Sequence, residues 1–262
     1  MVSEFSGNWA IILGGSSGLG LATANKLAKH GMNICIIHRN SRAETAVIET
    51  EFDSIKSLGV KFRSYNADAL NRQKREEIIA DLQSITTDGE SVRCLIHSIA
   101  KGSLKPMASA EDVLSSEDFT ITLNAMAVSL YDWTASVFSA GLFSDDSRII
   151  SFTSEGSTKA WRNYAAVSSA KAALEAISRS IALEFAKYGI RSNCVQAGVT
   201  DTSSLRRIPD SDNIIEATVR RNPFRRLTTP EDVANVVYLL CKDEASWING
   251  TIVKADGGES LQ

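Results

Sequence analysis

Short apolar runs alternate with helical stretches along nearly the whole chain, and this alternation restricts the possible folds more than any other feature. Strands are predicted at 9–15, 33–38, 61–68, 92–100, 148–154, 190–198 and 250–258. Helices are predicted at 20–31, 42–58, 71–84, 116–140, about 163–187 and 230–241. This alternation is typical of a parallel sheet covered by helices on both faces. With right-handed crossovers, the sequence therefore predicts one doubly wound α/β sheet.

The composition agrees with one folded domain and argues against several other classes of protein. A chain of 262 residues, 44% of them hydrophobic, fits a single large α/β domain, and no repeat or linker divides it. A net charge of −3 gives no basic field for nucleic acid, and no run of about 18 apolar residues predicts a membrane span. Residues 1–15 lack the features of a secretory signal. We therefore expect one catalytic domain, residues 1–262, in the cytoplasm.

The cysteines and histidines show no pattern typical of a disulfide framework or a metal site. The cysteines are far apart and form no Cys-x2-Cys motif, so reduced thiols packed in the core are expected. The histidines lack the spacing of metal ligands. These residues are Cys35, Cys94, Cys194 and Cys241, and His30, His38 and His97. We predict no metal site.

A glycine-rich turn, GGSSGLG at residues 14–20, joins the first predicted strand to the first predicted helix. Glycines here allow a tight turn and let a pyrophosphate approach main-chain N–H groups at a helix N-terminus. A turn without a ligand is the alternative, but the strand–turn–helix context favours dinucleotide binding. The predicted contacts are Gly14, Ser16, Ser17, Gly18, Leu19 and Gly20.

The end of the second predicted strand indicates which dinucleotide is bound. A carboxylate there would bind the ribose 2′-hydroxyl of NAD, but HRNSR at 38–42 contains none. Arg39 or Arg42 can pair with a 2′-phosphate, with Ser41 as a further donor, unless these residues form only a solvated loop. Asp68 is expected to accept from the adenine amino group or to cap the following helix. The sequence thus favours NADPH over NADH.

With these motifs the chain resembles the short-chain dehydrogenase/reductase family over nearly its whole length. The resemblance rests on GGSSGLG, NAD at 66–68, LNAMA at 123–127, a Tyr/Lys helix, AGVTDT at 197–202 and the terminal VKADGGESL. Most members place the catalytic tyrosine four residues before the lysine, where this chain has Val167. Here Tyr164 stands seven residues before Lys171. This spacing and HSIA at 97–100 resemble the enoyl-[acyl-carrier-protein] reductase branch, and YAAVSSAKAALEAISRSIALE resembles its NADPH-using type.

Two further positions keep other activities open. The NADH-using enoyl reductases have a second tyrosine ten residues before the active one, where this chain has Ser154, as ordinary short-chain reductases do. Ser154 is expected to bond the substrate carbonyl or to be only a strand-end hydroxyl. Asn124 resembles the family's structural asparagine, which either holds a water near the lysine or satisfies a helix carbonyl. A carbonyl or 3-ketoacyl-thioester reductase and a catalytically silent dinucleotide-sensing protein remain alternatives.

The spacing of Tyr164 and Lys171 suits reduction of an enoyl thioester. Seven residues are almost two helical turns, so the two side chains are expected on one face, about 10 Å apart along the axis. We expect Lys171 to hold the ribose hydroxyls and Tyr164 to donate to the developing enolate oxygen. That oxygen lies further from the hydride acceptor than the oxygen of a ketone does. The alternative is a packing tyrosine and a surface lysine.

The resemblance also implies other cofactor contacts and a mobile lid. The backbone of Val199 would meet the nicotinamide carboxamide, and Thr202 would lie near the phosphates. The remaining expected contacts are Ala69, Ser98, Ile99 and Ala100. Residues 200–228 would form a substrate lid that is ordered only when ligands bind.

Partners are expected from charge and from the resemblance. Residues 200–228 contain six arginines: Arg206, Arg207, Arg220, Arg221, Arg225 and Arg226. Some of them are expected to meet an acidic acyl-carrier protein or its phosphopantetheine arm, unless they serve internal salt bridges. The helices at 116–140 and 161–188 are expected to form a homotetramer, as in the family.

Overall fold

Seven parallel strands form one sheet in the computed structural model, which describes residues 4–87, 89–208 and 210–262. The strand order is β3-β2-β1-β4-β5-β6-β7. The strands are β1 Asn8–Leu13, β2 Asn33–His38, β3 Phe62–Asn66, β4 Ser91–His97, β5 Phe143–Ser154, β6 Ile190–Ala197 and β7 Ile252–Ala255. The predicted doubly wound α/β fold is confirmed.

Eight α-helices connect the strands within the described residues and cover both faces of the sheet. They are α1 Gly18–Lys29, α2 Thr45–Lys56, α3 Arg72–Ile85, α4 Ser116–Leu123, α5 Ser129–Ser139, α6 Ala165–Glu184, α7 Ser211–Arg221 and α8 Pro230–Cys241. In the described part of the chain, no helix is long and apolar enough to cross a membrane.

The core lies in two layers, one on each face of the sheet. In β1, Ala10 and Ile12 pack in the layer with α1, α2 and α8, whereas Trp9, Ile11 and Leu13 pack in the layer with α3, α5 and α6. Side chains of a strand alternate between the two faces, so a strand covered on both sides must be apolar throughout. This is why the strands read as continuous apolar runs.

The predicted helix at 116–140 is interrupted. Residues Asn124–Val128 form a π-helical segment between α4 and α5. The sequence has neither proline nor glycine here, so no ordinary helix-breaking residue indicates the interruption. The Ser129 hydroxyl donates to the Ala125 carbonyl at 2.8 Å and also contacts His97 on β4, which places polar side-chain bonds at the interruption.

The helix predicted from 163 begins later and ends earlier. It starts at Ala165, so Tyr164 occupies the N-cap position with non-helical backbone angles. It ends at Glu184 and is followed by a short 3₁₀ turn and by Gly189 in the left-handed conformation. The N-cap position places Tyr164 at the edge of the helix, where its side chain is close to the end of β5.

Residues 200–228, for which the sequence predicts no helix, contain α7. Its inward-facing positions do follow helical spacing, at Ser211, Ile214, Ile215 and Thr218. Two of these four residues are polar, and this hides the helical period in the sequence.

The sheet topology determines where a ligand can bind. The strands β1 and β4 are neighbours, but the chain continues from β1 to β2 on one side of this pair and from β4 to β5 on the other. Open α/β sheets bind ligands in the crevice at the carboxyl ends of strands at such a switch point.

Candidate active site

A cavity of about 700 Å³ opens at the carboxyl ends of the strands. Segments that follow all seven strands contribute to its wall. Its volume lies within the usual range for small-molecule sites.

Nearly all of the predicted site residues line this one cavity. They are Gly14, Ser16, Ser17, Gly18, Leu19, Arg39, Asp68, Ala69, Ser98, Ile99, Ala100, Ser154, Tyr164, Lys171, Val199 and Thr202. Gly20 and Asn124 do not line it. The structure therefore brings together residues that are separated by up to 188 positions in the sequence.

The glycine turn forms a narrow connection between β1 and α1. Gly14 has a φ of +84°, and a Cβ there would lie 2.6 Å from the Ser98 carbonyl oxygen. Gly20 lies in the first turns of α1, where a Cβ would lie 2.2 Å from the Gly14 carbonyl oxygen. Gly20 thus serves close packing of the helix on the turn rather than direct contact with a ligand. The turn leaves the N-terminus of α1 facing the cavity.

Arg39 and Asp68 form an ion pair at one end of the cavity. Arg39 Nη1 donates to Asp68 Oδ2 at 2.6 Å, and Asp68 Oδ1 accepts from the Leu70 N–H at 3.0 Å. Burial favours the neutral acid, but these two bonds outweigh it and hold the pKa of Asp68 below its ordinary value. The helix-cap alternative for Asp68 is wrong, since Asn71 caps α3.

Arg42 and Ser41, the other candidates for a phosphate contact, do not line the cavity. Ser41 instead forms a capping box with Glu44 on a short 3₁₀ turn, and Arg42 is exposed on that turn. Two further cations, Lys101 and Arg207, do line the cavity. The sequence analysis missed Lys101, which lies in no recognisable motif, and it considered Arg207 only as a contact for an acyl-carrier protein.

Lys171 is buried in the cavity wall. Its side chain is 8% exposed, and its Nζ donates to the Phe152 carbonyl oxygen of β5 at 2.6 Å. Removal from water lowers the pKa of Lys171 to about 8, although the nearby Cys194 and Glu175 oppose this shift. The surface-lysine alternative is therefore wrong.

Tyr164 lies on the same wall, at the N-cap of α6. Burial raises the pKa of Tyr164, which keeps its phenol neutral and able to donate a proton in a hydrogen bond at neutral pH. A methyl group on Gly156 would come within 2.5 Å of the Tyr164 ring and 3.3 Å of Ser154 Oγ, so the two side chains are neighbours. Ser154 Oγ is buried without a hydrogen-bond partner among the described residues.

The cavity wall around Tyr164 is apolar. Val167, which stands four residues before Lys171, is buried and lines the cavity. The Trp161 ring packs at 5.1 Å from the Tyr164 ring. Further apolar residues of this wall are Leu104, Met126, Leu205 and Ile208. Apolar side chains are common throughout the sequence, so nothing distinguished these from core residues before the fold was known.

The structure does not bring Asn124 to the cavity. On α4 and the π segment, Thr122, Ala125 and Met126 face inward and are buried, whereas Asn124 is exposed. Asn124 lies on the outer face of this helical region, in line with the exposed Ile121.

The Val199 backbone, expected to meet a carboxamide, already has partners on both sides. Its N–H donates to Glu259 Oε2 at 3.0 Å, and its carbonyl accepts from the Thr228 N–H at 3.2 Å. A carboxamide contact at Val199 would have to share or replace one of these bonds. Thr202 lies beside Gly18 at the glycine turn, and its contact with a phosphate stays a prediction.

Three arginines of residues 200–228 form close ion pairs within the protein. Arg206 pairs with Asp201 and Asp212, both at 2.6 Å. Arg226 pairs at 2.5 Å with Asp232, which belongs to the capping box of α8. Arg221 pairs with two buried carboxylates. These contacts favour the internal salt-bridge alternative for these three arginines.

The described residues include no cluster of three or more histidine, cysteine, aspartate or glutamate side chains suited to a metal ion. All four cysteines are free and buried.

The chain is similar to known proteins over nearly its whole length. The family model described as Enoyl-(Acyl carrier protein) reductase matches residues 14–260. A tropinone reductase homolog of Arabidopsis thaliana is 26% identical over 255 residues, covering 97% of this chain and 93% of its own. The 3-oxoacyl-[acyl-carrier-protein] reductase MabA of Mycobacterium tuberculosis is 26% identical over 251 residues, covering 96% of this chain and 92% of its own.

The solved structure of the Bacillus cereus enoyl-acyl carrier protein reductase, with NADP+ and indole naphthyridinone, has the same fold. It matches with a TM-score of 0.88 at 22% identity and covers 99% of both chains. The fold, the glycine turn, the buried Tyr/Lys pair and the family match agree. The chain belongs to the short-chain dehydrogenase/reductase family of oxidoreductases, in the group whose model is described as enoyl-(acyl carrier protein) reductase.

Proposed function

We propose that this protein is an NADPH-dependent enoyl-[acyl-carrier-protein] reductase of fatty-acid biosynthesis, which reduces trans-2-enoyl thioesters to saturated acyl thioesters. One observation carries the proposal. Four residues before Lys171, the cavity is lined by Val167, which has no acid–base group, whereas Tyr164 stands at the helix N-cap against the apolar wall. A phenol set back in this way suits an oxygen remote from the carbon that accepts hydride.

The cavity residues fit a nicotinamide dinucleotide phosphate. Gly14 and the N-terminus of α1 offer close backbone approach for a pyrophosphate, and Arg39 offers a guanidinium for a 2′-phosphate. When bound, NADPH supplies the hydride that C3 of the substrate accepts. The family binds NAD(P)H, and Arg39 is the reason to propose NADPH.

Each polar residue of the wall has a separate role in the proposed reaction. The Lys171 ammonium holds the ribose hydroxyls and lends positive potential to the site. The Tyr164 hydroxyl donates to the thioester oxygen as negative charge develops there, and the proton that completes the reaction at C2 comes from this hydroxyl or from water. The unpartnered Ser154 Oγ offers a second donor near the same oxygen.

The apolar wall supports an acyl chain as substrate. Leu104, Met126, Trp161 and Ile208 surround Tyr164, so a hydrocarbon chain is desolvated beside the phenol. Removing water there strengthens the hydrogen bond to the developing oxyanion.

The proposal is tested by following NADPH absorbance with crotonyl and acetoacetyl thioesters. Oxidation by the crotonyl thioester alone is expected. Oxidation by the acetoacetyl thioester alone would support a carbonyl or 3-ketoacyl reductase, the second candidate, which the position of Ser154 beside Tyr164 favours. Nucleotide binding without turnover of either thioester would support a silent dinucleotide sensor.

Arg39 provides a test of the proposed cofactor. Replacing Arg39 with alanine is expected to raise KM for NADPH about 10- to 100-fold and to leave KM for NADH nearly unchanged, because only the 2′-phosphate loses a charge-assisted bond. Arg42→Ala is the matched control, since Arg42 does not line the cavity. Equal effects of Arg39→Ala on both nucleotides would contradict the assignment.

Lys171 predicts how nucleotide affinity depends on pH. With a pKa lowered to about 8, Lys171 is charged below this pH and loses its charge as the pH rises. The Kd for NADPH is expected to rise about tenfold between pH 7 and pH 9, as measured by fluorescence titration. A Lys171→Met variant should show a flat profile over this range. A flat profile for the unaltered protein would count against the role of Lys171.

We propose a homotetramer and a substrate lid as well. Exposed Ile121, Val128 and Tyr131 form an apolar stripe along α4 and α5, which supports a homotetramer through these helices. Residues 200–228 supply Leu205, Arg207 and Ile208 to the cavity wall, which supports a substrate lid. We also propose an acyl-carrier protein as substrate carrier and the cytoplasm as location.

A further inference from the structure

Arg221, the last residue of α7, joins two buried carboxylates. Its Nη2 lies 3.0 Å from Glu155 Oε2 and 2.5 Å from Glu259 Oε1. Glu155 directly follows Ser154 at the end of β5, and Glu259 follows β7 near the C-terminus. Three distant parts of the chain therefore meet at one guanidinium, and both carboxylates line the cavity.

Glu259 connects this guanidinium to the backbone of the cavity. While Oε1 faces Arg221, Oε2 accepts from the Val199 N–H at 3.0 Å. Asn222, the next residue after Arg221, donates from its side-chain amide to the Asp256 carbonyl at 3.0 Å. The C-terminal end of α7 is thus fixed beside the Val199 peptide.

The two carboxylates depend on Arg221 to different degrees. Glu155 also pairs with Lys159, whereas Arg221 is the only cation that pairs with Glu259 among the described residues. The Glu259 side chain is 4% exposed, so without Arg221 it would be a buried charge lacking a counter-ion. Such a charge is expected to turn toward water or to take up a proton, and in either case its bond to Val199 changes.

We propose that Arg221 is a positioning residue for the nicotinamide end of the cavity, where it aligns Glu259 and, through it, the Val199 peptide. This inference rests on the proposed function only in placing the nicotinamide near Val199. Arg221 itself does not line the cavity and acts on its wall only through Glu155 and Glu259.

The test compares Arg221→Gln with Arg220→Gln, a neighbour on the same helix that is 73% exposed. Arg221→Gln is expected to weaken NADPH binding about tenfold and to speed amide hydrogen exchange in peptides covering 196–200. Arg220→Gln should change neither quantity. These measurements need no thioester, so they remain informative if the protein does not reduce enoyl thioesters.

The double variant Arg221→Gln/Glu259→Gln separates positioning from simple structural support. It removes the unpaired charge but keeps an amide oxygen for the Val199 N–H, so NADPH affinity is expected to recover to within about threefold of the unaltered protein. If Arg221→Gln does not fold, this double variant decides the matter alone. The proposal is overturned if Arg221→Gln binds NADPH as tightly as Arg220→Gln does. It is also overturned if the double variant binds NADPH no better than Arg221→Gln. Where only the double variant folds, a loss of NADPH affinity of more than about tenfold overturns it.

Discussion

Replacing Tyr164 with phenylalanine is expected to lower kcat for enoyl-thioester reduction about 100- to 1,000-fold, the usual cost of removing one preorganised donor to a developing oxyanion. The Tyr164 ring is buried against Trp161, and phenylalanine keeps this packing. Only the hydroxyl is lost, so the fold should persist. The affinity for NADPH should stay within about twofold, because Lys171 rather than Tyr164 is assigned to the nucleotide.

Tyr188→Phe is the matched control for this experiment. Tyr188 is 47% exposed and lies beyond the C-terminal end of α6, away from the cavity, so removing its hydroxyl should leave turnover unchanged. Steady-state kinetics with a crotonyl thioester and thermal unfolding of both variants make the comparison. If a folded Tyr164→Phe protein that still binds NADPH reduced the crotonyl thioester at full speed, the proposed mechanism would lose its basis.

The fold and the clustering of the proposed nucleotide contacts in one cavity could be predicted because their signals are local. A strand that is apolar throughout indicates a sheet covered on both faces, and GGSSGLG lies directly between such a strand and a helix. Arg39 and Asp68 likewise follow the ends of strands, where the topology brings loops together. Each of these inferences needs only a few consecutive residues and the rule for parallel sheets.

The apolar wall around Tyr164 and the ion pairs of Arg221 could not be predicted, because their residues come from distant segments of the chain. Leu104, Met126 and Ile208 meet around Tyr164 only after folding. The pairing of Arg221 with Glu155 and Glu259 spans 66 and 38 positions, and a single sequence offers no means of matching these charges.

Asn124 is predicted as a catalytic residue, but the structure places it outside the cavity. The exposed positions Ile121, Asn124, Val128 and Tyr131 are spaced by three or four residues, so they form one outward face. The family resemblance predicts Asn124 near Lys171, whereas the burial pattern places it on this outward face. The mechanism proposed above therefore assigns Asn124 no role.

Replacing Lys171 with methionine is expected to abolish most activity while making the fold more stable. Methionine fills a similar volume but cannot hold ribose hydroxyls, so kcat/KM is expected to fall about 100-fold or more. The ammonium, by contrast, is costly to bury. Its pKa of about 8 lies below the ordinary value of about 10.4, so the unfolded chain binds this proton more tightly than the folded protein does. At pH 7 the folded state carries this cost in full, and methionine removes it.

The pH dependence of unfolding distinguishes this explanation from a packing effect. Between about pH 8 and pH 10 the unfolded state binds more protons at Lys171 than the folded state, so the stability of the unaltered protein rises with pH relative to Lys171→Met. The variant's Tm is therefore expected to exceed that of the unaltered protein by a few degrees at pH 7, about 2–4 °C per kcal/mol, with the difference narrowing toward pH 10. Lys187→Met, on the exposed 3₁₀ turn after α6, controls for loss of a lysine in general. A lower Tm for Lys171→Met at pH 7 would show that the Lys171 bond to the Phe152 carbonyl outweighs the cost of burying its charge. A higher Tm that does not change with pH would instead show a packing effect and contradict the explanation by charge burial.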